Sequence, residues 1–382
     1  MNAGKILFIA LGAAAACVRV LTLPRRVFRR KFRRAAADSP PVFIYEPYGM
    51  GDCIAMQPLV RQWLAAGRRV IVATKPQWAA IFAPHPALTH IGVSPEYASQ
   101  SETRRKTAFL KDLATIRSAV GNAARGADGI DVRGDVRSIL ILYTLGCGKV
   151  RTLPRYHTAN DWPVFPFAAR RERLLIGSSR RIVNSAFSPK RETGDFPFPD
   201  LRHLLSSEKI RADSRRNPRR IGLIPFASWE GKRWPPENWR ELIRILRDEK
   251  FDPVILVGPD ENATQTIAPP EPPAQVFAAN NIADWVTMID ECDAIVTVNT
   301  GPMHIADALC KPLVLLEGSS RLPLWGPENP RAVIISHQSH PHVSKCAPCH
   351  QTGTTEKCGA KCMTLITPAE VAAACASRFS VY

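Results

Sequence analysis

The chain has 382 residues, of which 45% are apolar and 22% charged, with 33 Pro, 22 Gly and 10 Cys. This is the composition of a folded globular protein of about two domains, and it excludes collagen-like, coiled-coil and wholly disordered chains. Lys and Arg (51) outnumber Asp and Glu (34), a net charge of +17, and eight of those charges fall within residues 1–40, so the remainder is only mildly basic.

At the N-terminus, residues 6–18 (ILFIALGAAAACV) form the one long uncharged apolar run. At 1.5 Å per residue the run covers roughly 20 Å of a hydrocarbon core near 30 Å, which excludes a polytopic membrane protein. The segment RRVFRRKFRR (25–34) follows, with phenylalanines among its arginines. That pairing suits an anionic membrane surface better than nucleic acid. The positive charge comes after the apolar run, against the order of a cleaved signal peptide. By the positive-inside bias, everything after residue 24 then stays in the cytoplasm. Residues 1–40 are expected to associate with the membrane, peripherally or as a single N-terminal anchor; the alternative is a frayed basic tail. Cys17, Cys53, Cys147, Cys292, Cys310 and Cys375 lie singly in apolar surroundings and read as buried free thiols of a cytosolic protein.

VFIY (42–45) reads as a buried strand, CIAMQPLVRQWLAAG (53–67) as a helix ended by Gly67, and RVIVAT (69–74) as a strand. Together they make a βαβ unit, which implies a parallel sheet. Residues 104–125 are predicted helical, GIDV (129–132) is a short strand, and 135–146 is apolar again. Residues 151–218 are rich in Arg, Pro and Ser with little periodicity, and are expected to hold acceptor loops and an interdomain linker. A second α/β segment follows: strand 220–226, helix 235–249 with Pro at its start, strand 252–258, helix 282–292, strand 294–298, a helix opening at 303–310 and strand 312–318. The order predicts an α/β protein of two doubly wound, Rossmann-like halves facing a central cleft. The expected divisions are 41–205, a linker at 206–218, and 219–382.

Three turns carry chemistry. YGMGDC (48–53) joins the first strand to the first helix, and its glycines let backbone approach a ligand at the helix N-terminus. It is not a dinucleotide fingerprint: Ile54 stands where Gly is needed, and the second strand ends in Thr74-Lys75 with no acid for a ribose. Asp52 is either a carboxylate presented to a ligand or a helix N-cap. FASWEGKRWPPENW (226–239) carries Ser228, Lys232 and Arg233; Lys232 either neutralises a diphosphate or is solvated. In VNTGPMHIADAL (298–309), Asn299, Thr300 and Gly301 lead into a helix whose free N–H groups form an anion site. His304 there either donates to a phosphate or is a core histidine.

In order and spacing, these pieces resemble glycosyltransferase family 9, the bacterial heptosyltransferases that build the lipopolysaccharide core. The resemblance covers residue 42 to about residue 372. It rests on GMGD (49–52), IDVRGDVRS (130–138), K-R-W-P-x-E-x-W (232–239), NTGPMHIADAL (299–309), WGP (325–327), C-x-P-C (346–349) and CMTLITPAEV (362–371).

The resemblance implies a GT-B fold and inverting, metal-independent transfer without a cofactor; no Asp-x-Asp occurs in the chain. It makes Asp52 the general base and Lys232 a donor phosphate ligand. Gly51, Ser228, Asn299, Thr300, Gly301 and His304 are placed around the donor, with Asp260 or Glu261 on its ribose and backbone near 280–282 on its base. Arg133 and Asp135 fall on the acceptor side. Two residues depart from the family pattern, Asn299 where the family has Asp and Glu317 where it is commonly apolar. The implied partners are a nucleotide sugar, ADP-heptose, and a glycolipid acceptor at an anionic membrane surface, with no nucleic acid. The implied location is the cytoplasmic face of the bacterial inner membrane. The alternative is a non-catalytic nucleotide-sugar-binding or scaffold protein of envelope glycan assembly. Within a Cys-rich loop at 340–363, Cys346, Cys349, Cys358 and Cys362 have the spacing C-x2-C-x8-C-x3-C, read either as a structural zinc site or as a thiol-rich loop.

Overall fold

The computed structural model describes residues 39–98, 109–153, 178–189, 197–205, 219–259, 261, 274–320, 322–343 and 360–379. The chain divides into two compact units, Met1–Pro197 and Phe198–Tyr382. The division lies ahead of the 206–218 segment, because the short turn Arg202–Leu204 packs against a helix of the second unit, Ile282–Asp290.

In the first unit, strands β1 (Val42–Tyr45), β2 (Val70–Thr74), β3 (Leu88–Gly92), β4 (Asp128–Asp131) and β5 (Lys149–Thr152) form a sheet of order β3-β2-β1-β4-β5. All its neighbours pair in parallel. Helix α1 (Met50–Ala65) connects β1 to β2. It ends where Gly67 takes a left-handed φ of 71°, a conformation that glycine adopts without Cβ strain. Helix α2 (Phe109–Val120) precedes β4, and α3 (Val136–Thr144) runs between β4 and β5. Helix α4 (Ser179–Phe187) packs on α1.

The second unit repeats the plan. Strands β6 (Arg220–Ile224), β7 (Asp252–Val257), β8 (Gln275–Ala278), β9 (Ala294–Val298), β10 (Leu313–Leu316) and β11 (Ala332–Ile335) give a parallel sheet of order β11-β10-β9-β6-β7-β8. Its helices are α5 (Pro236–Asp248), α6 (Ile282–Asp290), α7 (Gly301–Ala308) and α8 (Pro368–Phe379). Trp239, Leu242, Ile243 and Leu246 of α5 repeat at helical spacing and are all buried against this sheet. Burying each such side chain stabilises the fold by roughly 1.5–3 kcal/mol.

The expectation of two doubly wound α/β halves holds in both units. Helix α1 begins three residues earlier than the apolar pattern indicates, so Asp52 lies inside its first turn. The region expected to lack periodicity contains β5 and α4. Of the cysteines expected to be buried, Cys53, Cys147, Cys292 and Cys375 are, and burial pushes their thiols up, to about 12 for Cys147 and Cys292. Cys310 corrects the expectation. It is exposed, just beyond α7 at a left-handed φ of 53°, where the chain reverses toward β10. The apolar and basic segment at 1–38, and the membrane association expected of it, lie outside the described residues. No helix among the described residues is long and apolar enough to cross a membrane.

Candidate active site

In a doubly wound sheet, ligands bind beyond the carboxyl ends of the strands where the strand order reverses. These points are β1/β4 in the first unit and β6/β9 in the second. The three turns singled out from the sequence follow β1, β6 and β9, and Arg133 follows β4.

In the first unit, Gly49 occupies the N-cap position of α1 and makes no side-chain cap, while Asp52 sits in the first turn. Asp52 is therefore not the cap, and its carboxylate is available for another role. A Cβ at Gly49 would stand 3.0 Å from Asp52 Oδ2, so glycine there lets the carboxylate fold over the turn. Gly51 is half-buried in the same turn. Arg133 Nη1 donates to Asp52 Oδ2 at 2.8 Å and lies 3.5 Å from Glu46 Oε1, and its guanidinium sits over the Tyr48 ring at 3.9 Å. Asp52 Oδ1 and Glu46 Oε2 are both buried without a hydrogen-bond partner. Glu46 is fully buried, and desolvation raises its carboxyl to about 8 against the pull of Arg133. Lys75, just beyond β2, feels both carboxylates and Cys53, and its burial lowers its ammonium below the usual value. Glu46, Tyr48 and Lys75 were not singled out from the sequence.

Asp135 has a different setting. It is the N-cap of α3, accepting from the Arg137 N–H at 2.9 Å. Arg137 also grips it through Nε at 3.2 Å and Nη2 at 2.9 Å, and the Tyr48 hydroxyl donates to its Oδ2. Burial alone would raise its carboxyl, but Arg137 and these hydrogen bonds outweigh burial and hold it below the usual carboxylate range. Its oxygens are engaged by α3, Arg137 and Tyr48, whereas Arg133 lies beside Asp52. Asp131, the last residue of β4, is buried beside β5, where Thr152 Oγ1 donates to it at 2.6 Å, and desolvation raises it to about 7.

In the second unit, the loop after β6 presents Ser228 exposed and Lys232 half-buried, with Lys232 closing a short turn, Glu230–Lys232. The loop is pinned from behind. Trp234 Nε1 donates to the Ile366 carbonyl at 3.0 Å, its ring meets Trp239 edge to face at 5.0 Å, and Asn238 Nδ2 reaches the same carbonyl at 3.4 Å. Arg233 turns back, with Nε on the Ala227 carbonyl at 2.8 Å.

Beyond β7, Glu261 Oε2 accepts from the Gly258 N–H at 2.7 Å, and Asp260 lies outside the described residues. At the start of α6, Asn281 caps the Asp284 N–H at 3.0 Å while Asp284 accepts from the Asn280 N–H at 2.8 Å. This reciprocal cap fixes the 280–282 backbone.

After β9, Thr300 is the N-cap of α7 but gives no side-chain cap, and Pro302 has no N–H to satisfy. The start of α7 thus remains suited to an anion. His304 is half-buried in its first turn. Asn299 and Glu317, the two departures from the family pattern, bond to each other. Asn299 Nδ2 donates to Glu317 Oε2 at 2.6 Å, and Glu317 Oε1 accepts from the Ser319 and Ser320 N–H groups at 2.9 and 2.7 Å. Both residues are nearly inaccessible, at 3% and 1% exposed.

The structure therefore brings Asp52 and Arg133 together in one unit. In the other it gathers Ser228, Lys232, Asn299, Thr300, Gly301 and His304 beyond the neighbouring strands β6 and β9. Of the four cysteines read either as a zinc site or as a thiol-rich loop, Cys346, Cys349 and Cys358 lie outside the described residues. Cys362 is buried, its Sγ 2.5 Å from where a Cβ on Gly318 would stand. Among the described residues no group of three or more His, Cys, Asp or Glu could hold a metal.

Residues 127–358, more than half of the chain, match the family model described as glycosyltransferase family 9 (heptosyltransferase). The chain belongs to glycosyltransferase family 9. Lipopolysaccharide heptosyltransferase 2 of Escherichia coli (strain K12) is 34% identical over 124 residues, 30% of this chain and 35% of that protein. Lipopolysaccharide heptosyltransferase 1 of Pseudomonas aeruginosa is 26% identical over 230 residues, 58% of this chain and 61% of that protein. The matched stretches thus span about a third and three-fifths of these relatives' lengths. The solved structure of the E. coli ADP-heptose lipopolysaccharide heptosyltransferase II aligns with a TM-score of 0.56 at 18% identity, covering 89% of this chain and 98% of that one. The family 9 chain thus shares the GT-B type of architecture, two parallel-sheet α/β domains, with that enzyme.

Proposed function

We propose that this family 9 protein is an inverting, metal-independent glycosyltransferase. In this reading it moves heptose from ADP-heptose onto a lipopolysaccharide-core-type glycolipid at the cytoplasmic face of the inner membrane. The observation that carries the reading is Asp52, a carboxylate at the strand-order reversal that does not cap its helix and keeps one oxygen without a partner. One bond forms, from the acceptor oxygen to the anomeric carbon, and one breaks, from that carbon to the diphosphate oxygen. The acceptor proton passes to Asp52, since a hydroxyl is a poor nucleophile until its proton leaves. Negative charge develops on the departing ADP, where Lys232 and the start of α7 are fixed donors. Relatives named as lipopolysaccharide heptosyltransferases and a fold neighbour named for ADP-heptose support the choice of donor and acceptor class.

The test is to incubate the pure full-length protein with a panel of nucleotide sugars and a detergent-solubilised core glycolipid. Binding is followed by calorimetry and products by mass spectrometry. A heptose mass increment on the acceptor with stoichiometric ADP is the expected result. Tight donor binding with no product from any acceptor would instead establish the non-catalytic alternative.

A further inference from the structure

Glu46 follows β1 directly and is wholly buried. Its Oε1 accepts the Tyr48 N–H at 2.9 Å and lies 3.5 Å from Arg133 Nη1, and its Oε2 has no partner. The same Nη1 holds Asp52 Oδ2 at 2.8 Å. Two carboxyl groups thus share one nitrogen of one guanidinium, and stacking on Tyr48 keeps that guanidinium within reach of both. The other titratable groups facing Glu46 are Tyr45 on β1, Asp131 on β4, Cys53 on α1 and Lys75 beyond β2.

A like charge beside a carboxylate strengthens it as a base, and a cation weakens it. We propose that Glu46 is a positioning residue that sets the strength of Asp52 as a base, by competing for Arg133 when ionised and ceding Arg133 to Asp52 when neutral. The proposal rests on the general-base reading of Asp52. No proton passes between Glu46 and the acceptor. Glu46 exchanges its own proton with solvent, and the acceptor proton still goes to Asp52. Burial raises Glu46 to about 8, so the exchange falls within the range where the enzyme can be assayed.

The experiment compares kcat and donor KM of the wild type, Glu46→Gln, Glu46→Asp and Asp52→Asn from about pH 6 to 10. In the wild type kcat rises about tenfold between pH 7 and 9, the scale of a neighbouring charge acting through general-base catalysis. In Glu46→Gln, which keeps an oxygen for the Tyr48 N–H, kcat is flat over that range with donor KM unchanged. Glu46→Asp restores a rise. A purely structural Glu46 would move melting temperature and leave the pH profile alone, so an unaltered rise in Glu46→Gln overturns the proposal.

Infrared difference spectra of the wild type give a check that needs no variant to fold. Asp131, raised to about 7, loses its protonated-carboxyl band first; a second loss near pH 8 should run in step with the rise in kcat, and a rise without that second loss also overturns the proposal. If Asp52→Asn keeps near-wild-type turnover, the general-base reading falls and takes this one with it. If Asp52→Asn is inactive while Glu46→Gln keeps the wild-type rise, the Glu46 proposal falls alone.

Discussion

Asp52→Asn separates chemistry from stability because of where the residue sits. The substitution removes the charge from an oxygen that Arg133 Nη1 meets at 2.8 Å, in a pair whose side chains are 15% and 14% exposed. The Asn amide oxygen can still accept from Arg133, and Glu46 Oε1 stays 3.5 Å from the same nitrogen as a second acceptor. Gly49, not Asp52, is the cap, so no capping energy is lost. A hydrogen bond to a charged group is worth about 1.5–3 kcal/mol, and keeping part of it leaves a loss of about 1–2 kcal/mol. For a unit of this size that is a drop of a few degrees in Tm. Turnover, in contrast, loses the whole general-base contribution, roughly 10²- to 10⁴-fold. The candidate donor residues Lys232, Glu261, Thr300 and His304 lie in the other unit, so ADP affinity should be unchanged. The assay combines initial rates of ADP release at saturating donor and acceptor, calorimetric titration with ADP, and a thermal melt. Turnover within about threefold of wild type would refute the base assignment.

Lys232→Ala should lower kcat by roughly two orders of magnitude or more, the scale of losing one donor aimed at developing charge, while EDTA leaves wild-type rates unchanged. Asp135→Ala removes a helix cap, the Arg137 fork and the Tyr48 contact together. It should cost about 2–4 kcal/mol in urea denaturation, with ADP affinity unaffected. Glu46 and Asp131 are both raised by burial, to about 8 and about 7, so between about pH 4.5 and 8 the folded chain holds protons that the unfolded chain has released. Stability is therefore highest at the acid end of that window, falls by several kcal/mol as pH rises through it and levels off above 8. Urea midpoints at pH 5 and 8.5 check this, and Glu46→Gln should flatten the upper part. Removing residues 1–34 should release the protein from membrane vesicles while preserving turnover on detergent-solubilised acceptor, as sedimentation and rate assays would show.

The central strands were legible because both faces of a parallel sheet are covered, which makes them continuous apolar runs such as 42–45 and 294–298. The four strands that the pattern missed, β3, β5, β8 and β11, are the sheet edges and half-exposed: β3, β5 and β8 carry polar residues such as Thr89, His90, Lys149, Arg151 and Gln275, and β11 is apolar but only four residues long. Candidate residues stood out when glycine and a helix start surrounded them, as with Asp52 and Thr300. Glu46 and Lys75 had no such setting. Glu46 matters through Arg133, which the sheet brings to Asp52 across 81 positions of sequence, and Lys75 through the two carboxylates it faces. Likewise Asn299 and Glu317 look like two separate departures until β9 and β10 place their ends side by side. Asp135 matched a motif, and in the fold it starts a helix.

The hydrogen bonds from Trp234 and Asn238 to the Ile366 carbonyl bear on the order in which the protein is made. Chains fold as they emerge, N-terminal parts first. The loop bearing Lys232 leaves the ribosome long before Ile366, and until Ile366 follows it has no acceptor for either side chain. The first unit can reach its final form during synthesis, whereas the second holds the loop of Lys232 loosely until close to the end of translation. A nascent chain arrested near residue 340 would carry all eleven of the described strands and still lack the carbonyl that fixes the Lys232 loop.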